Sequence, residues 1–210
     1  MTAVPHQPSM LDMAPEPGLG RLAGRVRRHE LTGWAWVDHL PGWVRGSDAV
    51  LRTLLDEVDW RAERRRMYDG EVTVPRLLRW YGDGDELPHP VLTEARRRLT
   101  AHYAAELGEP FVTAGMCLYR TGQDSVAWHG DTNGRSSRYD TMVAIVSFGA
   151  PRPLLLRPRG GGPSLRFPLG HGDLLVMGGS CQRTWEHSVP KTARPVGPRV
   201  GVQFRPAGVS

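Results

Sequence analysis

After Gly108 the chain breaks into short apolar runs parted by Gly, Pro and Asp: FVTAGMCLYR, VAWHGD, MVAIVSFG, PLLLRP, SLRFPL, DLLVMGG, WEHSVP and RVGVQFR. Runs this short and this closely punctuated predict about eight strands of a sandwich or jelly roll. The 25 glycines and 18 prolines suit such a turn-rich fold. Upstream the pattern is helical. In residues 46–58, Val50, Leu51, Leu54, Leu55 and Val58 recur at helical spacing, with Ser47 or Asp48 as the cap. Residues 89–107 form a second amphipathic stretch, opened by Pro90 and closed by Gly108. Residues 31–37 read as a short strand, and Asp69-Gly70 as the turn between two more. Helices ahead of a β core make the class α+β.

The length of 210 residues fits one domain. Residues 1–28, rich in Pro and Gly without apolar period, are expected to be a disordered tail, leaving 29–206 as the folded unit. No stretch approaches the roughly 18 apolar residues of a membrane span. The N-terminus lacks a basic start followed by an apolar run, so no secretory signal is expected. Cys117 and Cys181 are the only cysteines, which argues against a disulfide framework and for a reducing, cytoplasmic setting. A monomer is expected. The formal charge is +5, and Lys191 is the only lysine. Arginine's planar fork suits phosphate, and a basic chain suits a polyanionic partner. Genome base composition accounts for the arginine bias equally well.

The chemistry-bearing residues lie in the β half. His129 and Asp131 stand two apart, so on extended chain they share a face and can converge on one metal. His187 lies far downstream, with room for several strands between. Two imidazoles and one carboxylate on one face of a metal leave three positions open, the arrangement of non-haem iron(II) oxygenases. His171-Gly172-Asp173 repeats the H-x-D spacing but sits between two apolar runs and reads as a turn. Arg199 and Arg205 stand six residues apart on a predicted strand, on one face. They span about 20 Å, so only their long side chains reach one small dicarboxylate, from opposite ends. A solvated strand face is the other reading of the pair.

In this order, H-x-D, a distal His and R-x5-R resemble the AlkB family of iron(II), 2-oxoglutarate-dependent dioxygenases. Local phrasing agrees: CLYR, SVAWHGD, GDLLVMGG, HSVPK and PRVGVQFR, while VPRLLRWYGD resembles the family's nucleotide-recognition region, near 60–85. The resemblance implies a double-stranded β-helix, or jelly roll, with N-terminal helices packed on one face and a hairpin substrate lid. It implies His129, Asp131 and His187 as iron ligands. Arg199 would take the distal carboxylate of 2-oxoglutarate, Arg205 would lie near its keto-acid end, and Tyr119 would hydrogen-bond it. With O2, the reaction would give succinate and CO2 and hydroxylate an N-alkyl carbon on a damaged DNA base, so that a methyl lesion leaves as formaldehyde. Trp80 and Tyr81 are candidates to stack on a flipped base. Arg76 and Arg183 are candidates for phosphate, and Asn133 for the base itself.

The chain departs from the family in three places. Cys117 replaces the asparagine of N-x-Y, Gly201 stands where some members have asparagine, and Thr132-Asn133-Gly134 follows H-x-D where some members have acidic residues. Two rival readings remain at this stage: the same iron site acting on RNA, protein or a small molecule, and a non-enzymatic jelly-roll module that binds metal or nucleic acid. The clusters Arg64 to Arg66 and Arg96 to Arg98 read as solvated faces or as DNA contacts.

Overall fold

The alternation in RVGVQFR sorts the molecule into two faces. In the computed structural model, which describes residues 16–67, 70–131 and 135–209, this run is strand β14 (Arg199–Arg205). Val200, Val202 and Phe204 are fully buried against helices on one side. Arg199, Gly201, Gln203 and Arg205 face the other way, as period-two geometry requires. β14 is central, flanked by β9 (Val143–Gly149) and β7 (Thr113–Tyr119), both antiparallel. Beyond β9 come β12 (Asp173–Gly179), β3 (Ala35–Leu40) and β2 (Arg27–Glu30). Beyond β7 come β6 (Gly70–Tyr81) and β5 (Arg61–Met67), completing an eight-stranded sheet.

A second sheet of four strands faces it, ordered β11 (Leu165–Leu169), β10 (Arg152–Pro158), β13 (Trp185–Val189) and β8 (Val126–His129). Val143, Ile145, Leu154, Leu156, Leu175 and Met177 share one buried cluster between the sheets. This is the expected jelly roll, with eight strands after Gly108. A two-stranded ribbon, β1 (Gly18–Leu19) with β4 (Val44–Arg45), stands apart.

On the outer face of the large sheet, α1 (Ser47–Glu57) and α2 (Pro90–His102) bury Val50, Leu51, Leu54, Val91, Leu92 and Leu99. Each such side chain contributes roughly 1.5–3 kcal/mol by leaving water. The helices therefore hold the sheet rigid from behind and leave its inner face free to carry chemistry. Among the described residues no helix is long and apolar enough to cross a membrane.

Four local expectations are corrected. Residues 16–28 belong to the fold: Leu19 and Leu22 are buried, and Arg28 bonds Asp38 through Nε and Nη2, both at 2.8 Å, with its guanidinium 3.8 Å from the Trp36 ring. Only contacts far along the chain make that segment ordered, so its composition did not reveal them. Residues 1–15 lie outside the described residues. Neither Ser47 nor Asp48 caps α1; Gly46 does so in the left-handed region (φ 61°), and the Ser47 hydroxyl donates back to the Val44 carbonyl at 2.8 Å. The 89–107 stretch breaks at Tyr103, and a separate turn, α3 (Ala104–Leu107), follows. Leaving the helix lets the Tyr103 ring stack on Trp36 and its hydroxyl donate to Asp38 at 2.9 Å. Finally, the 31–37 segment begins as a 3-10 turn at Thr32–Trp34 before β3 starts.

Asp38 thus holds the N-terminal segment, α2 and the sheet together. Burial first, then Asp38, raises the Tyr103 pKa well above its usual value, so the phenol stays a donor. Tyr103→Phe is expected to lower unfolding free energy by about 1–2 kcal/mol, because Asp38 keeps Arg28 but loses one buried donor. Urea denaturation of the purified protein checks this, and an unchanged midpoint would remove Asp38 from its role as a tie point.

Candidate active site

Strands β8 and β13 pair in register at His129 and His187, which brings two residues distant in sequence side by side. Their rings lie 4.2 Å apart between centroids. Asp131 follows just past the end of β8. One donor atom from each of the three residues lies within 4.8 Å of the others, a group able to hold a metal ion. His129 Nδ1 lies 2.9 Å from the Ala127 carbonyl oxygen. That bond assigns the ring proton to Nδ1 and leaves the Nε2 lone pair facing Asp131 Oδ1, at 3.8 Å.

Asp131 is held from two sides. Its backbone N–H donates to Gln182 Oε1 at 3.0 Å, from the short helix α4 (Cys181–Thr184). Its Oδ2 accepts from Arg205 Nε at 2.8 Å and faces Arg205 Nη2 at the same distance. One carboxylate oxygen is therefore committed and the other points at the histidines. Burial alone would raise the Asp131 pKa, but Arg205, His187 and His129 outweigh it and hold the carboxyl well below the usual range. Burial, followed by the neighbouring His129, pulls His187 down to about 3. A charged carboxylate and a neutral imidazole are the forms a divalent cation needs, so the donor set fits iron(II) chemistry.

The cluster opens into a cavity of about 600 Å³ between the sheets, and Arg199 lines it too. Arg199 is 2% exposed, donates through Nε to Ser147 Oγ at 2.9 Å, and lies 5.2 Å from the Tyr119 ring. Among the described residues no carboxylate pairs with it. Burial lowers its pKa, and Tyr119 only partly offsets that. A buried guanidinium without an anion calls for one from solution. Burial also pushes the Tyr119 hydroxyl up to about 12.

A family model described as the 2OG-Fe(II) oxygenase superfamily matches residues 39–205, the span that carries every residue of this site. The chain is 33% identical to alpha-ketoglutarate-dependent dioxygenase alkB homolog 3 of Homo sapiens, over 91% of this chain and 73% of that protein. It belongs to the AlkB family of 2OG-Fe(II) oxygenases. DNA oxidative demethylase ALKBH2 of Homo sapiens is 29% identical over 76% of this chain and 68% of that protein. In fold it is similar to the solved structure of OsALKBH1, with a TM-score of 0.58 and 16% identity, covering 86% of this chain and all of that one. A prolyl hydroxylase from Trichoplax adhaerens, in complex with a hypoxia inducible factor peptide fragment, has a TM-score of 0.55 at 14% identity, covering 76% of this chain and 77% of that one.

The enzyme is thus a dioxygenase that uses Fe(II), 2-oxoglutarate and O2, and the remaining candidates can be placed on an AlkB-family frame. Arg205 lines the cavity; its Nε and Nη2 contact Asp131, and its Nη1 donates to the Gln203 carbonyl at 3.4 Å. Trp80 stands at the cavity rim, 47% exposed, with Arg205 5.9 Å from its ring. Arg76 lines the cavity and donates to the Ser125 carbonyl at 3.3 Å. Tyr81 is a correction. Next to Trp80 on one strand it must point the opposite way, and it packs on the helix-side core. Arg183 is another: it does not line the cavity but lies on α4, with Nε 3.0 Å from Asp140 Oδ1. Asn133 and the Asp69 turn lie outside the described residues.

His171-Gly172-Asp173 is structural, as its position between strands suggested. His171 Nδ1 accepts from the Gly149 N–H at 2.7 Å, and Asp173 accepts from the N–H groups of Gly42 and Gly170. The second arginine cluster is partly explained as well. Arg97 and Arg98 pair with Glu94, and Arg96 donates to the Val112 carbonyl. Sequence reasoning missed Gln182, Ser147 and Gln203. Only Gln203 carried a signal, since it shares the β14 face of Arg199 and Arg205.

Proposed function

We propose that this AlkB-family oxygenase removes alkyl groups oxidatively from N-alkylated bases in DNA. One observation carries the substrate class. An exposed indole, Trp80, stands at the rim of the cavity into which His129, Asp131 and His187 project, with Arg61 and Arg76 beside it. A base taken out of its stack needs an aromatic wall, and the phosphates beside it need cations. The names of the relatives, a DNA oxidative demethylase among them, support the same reading.

In this reading His129, Asp131 and His187 hold Fe(II), and Arg199 with Tyr119 receives the far carboxylate of 2-oxoglutarate. Bound there, the metal and cosubstrate supply oxidation by O2 coupled to decarboxylation, yielding succinate and CO2. Arg205 keeps Asp131 oriented and ionised. Trp80 positions the base, and the β5–β6 hairpin forms a lid that excludes water while the N-alkyl carbon is hydroxylated. The hydroxyalkyl group then leaves as an aldehyde, which for a methyl lesion is formaldehyde.

The test is mass spectrometry of oligonucleotides carrying 1-methyladenine or 3-methylcytosine, incubated with Fe(II), ascorbate and 2-oxoglutarate. Loss of the methyl group only when cosubstrate is present is expected. Trp80→Ala should raise KM for the oligonucleotide about tenfold, the worth of one stacking contact, and shift KM for 2-oxoglutarate far less. Turnover of methylated RNA or peptides with none of DNA would overturn the reading.

A further inference from the structure

Cys117 and Gly201 are direct cross-strand partners on β7 and β14. Both are small, on the sheet face that carries the cavity, and they leave a hollow between Arg199 and Gln203. Gln203 has folded into it. A methyl group built on Gly201 would lie 2.9 Å from Gln203 Nε2 and 3.6 and 3.7 Å from the two terminal nitrogens of Arg199. Three donor nitrogens therefore surround one small space above Gly201.

The amide is not free to turn. The Cys117 thiol donates to Gln203 Oε1, with sulfur and oxygen 3.6 Å apart. This bond draws the amide oxygen towards β7 and leaves the nitrogen facing Arg199. Among the described residues Gln203 Nε2 donates to no acceptor, and no carboxylate pairs with Arg199. Asp131, in the same cavity, is committed to Arg205. The local field is thus positive, with unmet donors aimed at a common point, which suits a carboxylate oxygen.

We propose that Gln203, oriented by Cys117 across Gly201, is a second binding residue for the far carboxylate of 2-oxoglutarate and sets selectivity for a 2-oxo diacid over a 2-oxo monoacid. The inference rests on the reading that this carboxylate lies at Arg199. A monoacid would leave the Arg199 and Gln203 donors without a carboxylate, and a site built to hydrogen-bond a group rejects the analogue that lacks it. Cys117 acts through the amide and is a positioning residue. A serine there keeps a donor for Oε1, whereas alanine releases the amide to rotate.

The test uses full-length enzyme loaded with Mn(II) under anaerobic conditions, with 2-oxoglutarate binding read by calorimetry. Gln203→Leu is expected to weaken binding about tenfold. Gln203→Glu should weaken it further, because a carboxylate then faces a carboxylate. Cys117→Ala should lie between Gln203→Leu and the parent, and Cys117→Ser should restore most of the affinity. In turnover, KM for 2-oxoglutarate should rise more than kcat falls. A chemical readout is independent of both. Cys181 is buried and its thiol is pushed up to about 12, so iodoacetamide reports on Cys117, and 2-oxoglutarate should slow that labelling severalfold.

Equal affinity in Gln203→Leu and the parent, or labelling indifferent to 2-oxoglutarate, overturns the inference. The underlying reading fails differently, because then Arg199→Met would bind 2-oxoglutarate as the parent does. If Gln203→Leu does not fold, Gln203→Glu and the labelling of the parent carry the test.

Discussion

His187→Ala is expected to take turnover to background, a loss on the order of a thousandfold or more, because it removes one of three protein ligands from the metal. Binding of Mn(II), read by electron paramagnetic resonance, should be lost with it. The fold should survive. Asp131 keeps the bond its backbone N–H donates to Gln182 and its pair with Arg205, and neither depends on the imidazole. The β8–β13 ladder also stands, since its hydrogen bonds are made by the backbone. The informative result is the combination of native circular dichroism, absent metal affinity and absent succinate production. A His187→Ala enzyme that still couples 2-oxoglutarate consumption to dealkylation would mean that the metal sits elsewhere, and the whole site assignment would fall.

That His187 could be tied to His129 from sequence at all reflects how this fold divides its information. His129 and Asp131 are two apart, and strand geometry alone puts them on one face. The alternation of RVGVQFR likewise separates Val200, Val202 and Phe204 from Arg199, Gln203 and Arg205 without further knowledge. The pairing of β8 with β13 is a long-range register that no local pattern encodes, and here the order of motifs in a known family supplied what spacing lacked. The misses have the same origin. Arg28 looked like part of a loose tail because Asp38, Trp36 and Glu106, which hold it, lie on β3 and beyond α2. Tyr103 looked like one more helical residue because Asp38, which draws it out, lies far upstream. Gln182 reaches Asp131 from a single helical turn with no motif of its own. Tyr81 was different, since strand alternation already forbade it to share a face with Trp80.

Arg199→Met is expected to separate stability from function, with the two moving in opposite directions. Arg199 is fully ionised in water, yet here it is buried with Ser147 Oγ and the Tyr119 ring for company and no carboxylate partner among the described residues. Its desolvation amounts to several kcal/mol, which Tyr119 and Ser147 offset only in part and a bound anion offsets further. Methionine has a similar reach and no charge. The change leaves the Ser147 hydroxyl without its donor, at a cost of about 1 kcal/mol. The desolvation term is larger, so cosubstrate-free Arg199→Met should be more stable than the parent by about 1–3 kcal/mol, seen as a melting temperature several degrees higher. Adding Ser147→Ala should recover the lost hydrogen bond and raise it again. Binding moves the other way. Without the bidentate donor, KM for 2-oxoglutarate should rise about a hundredfold or more. Saturating 2-oxoglutarate should raise the parent's melting temperature by mass action and leave the variant's unchanged. The two thermal profiles therefore approach one another as cosubstrate is added, and that convergence is the signature of a charge kept buried for a ligand. A destabilised Arg199→Met, or one stabilised by 2-oxoglutarate as much as the parent, would show that Arg199 serves the fold and leave the dicarboxylate without its principal anchor.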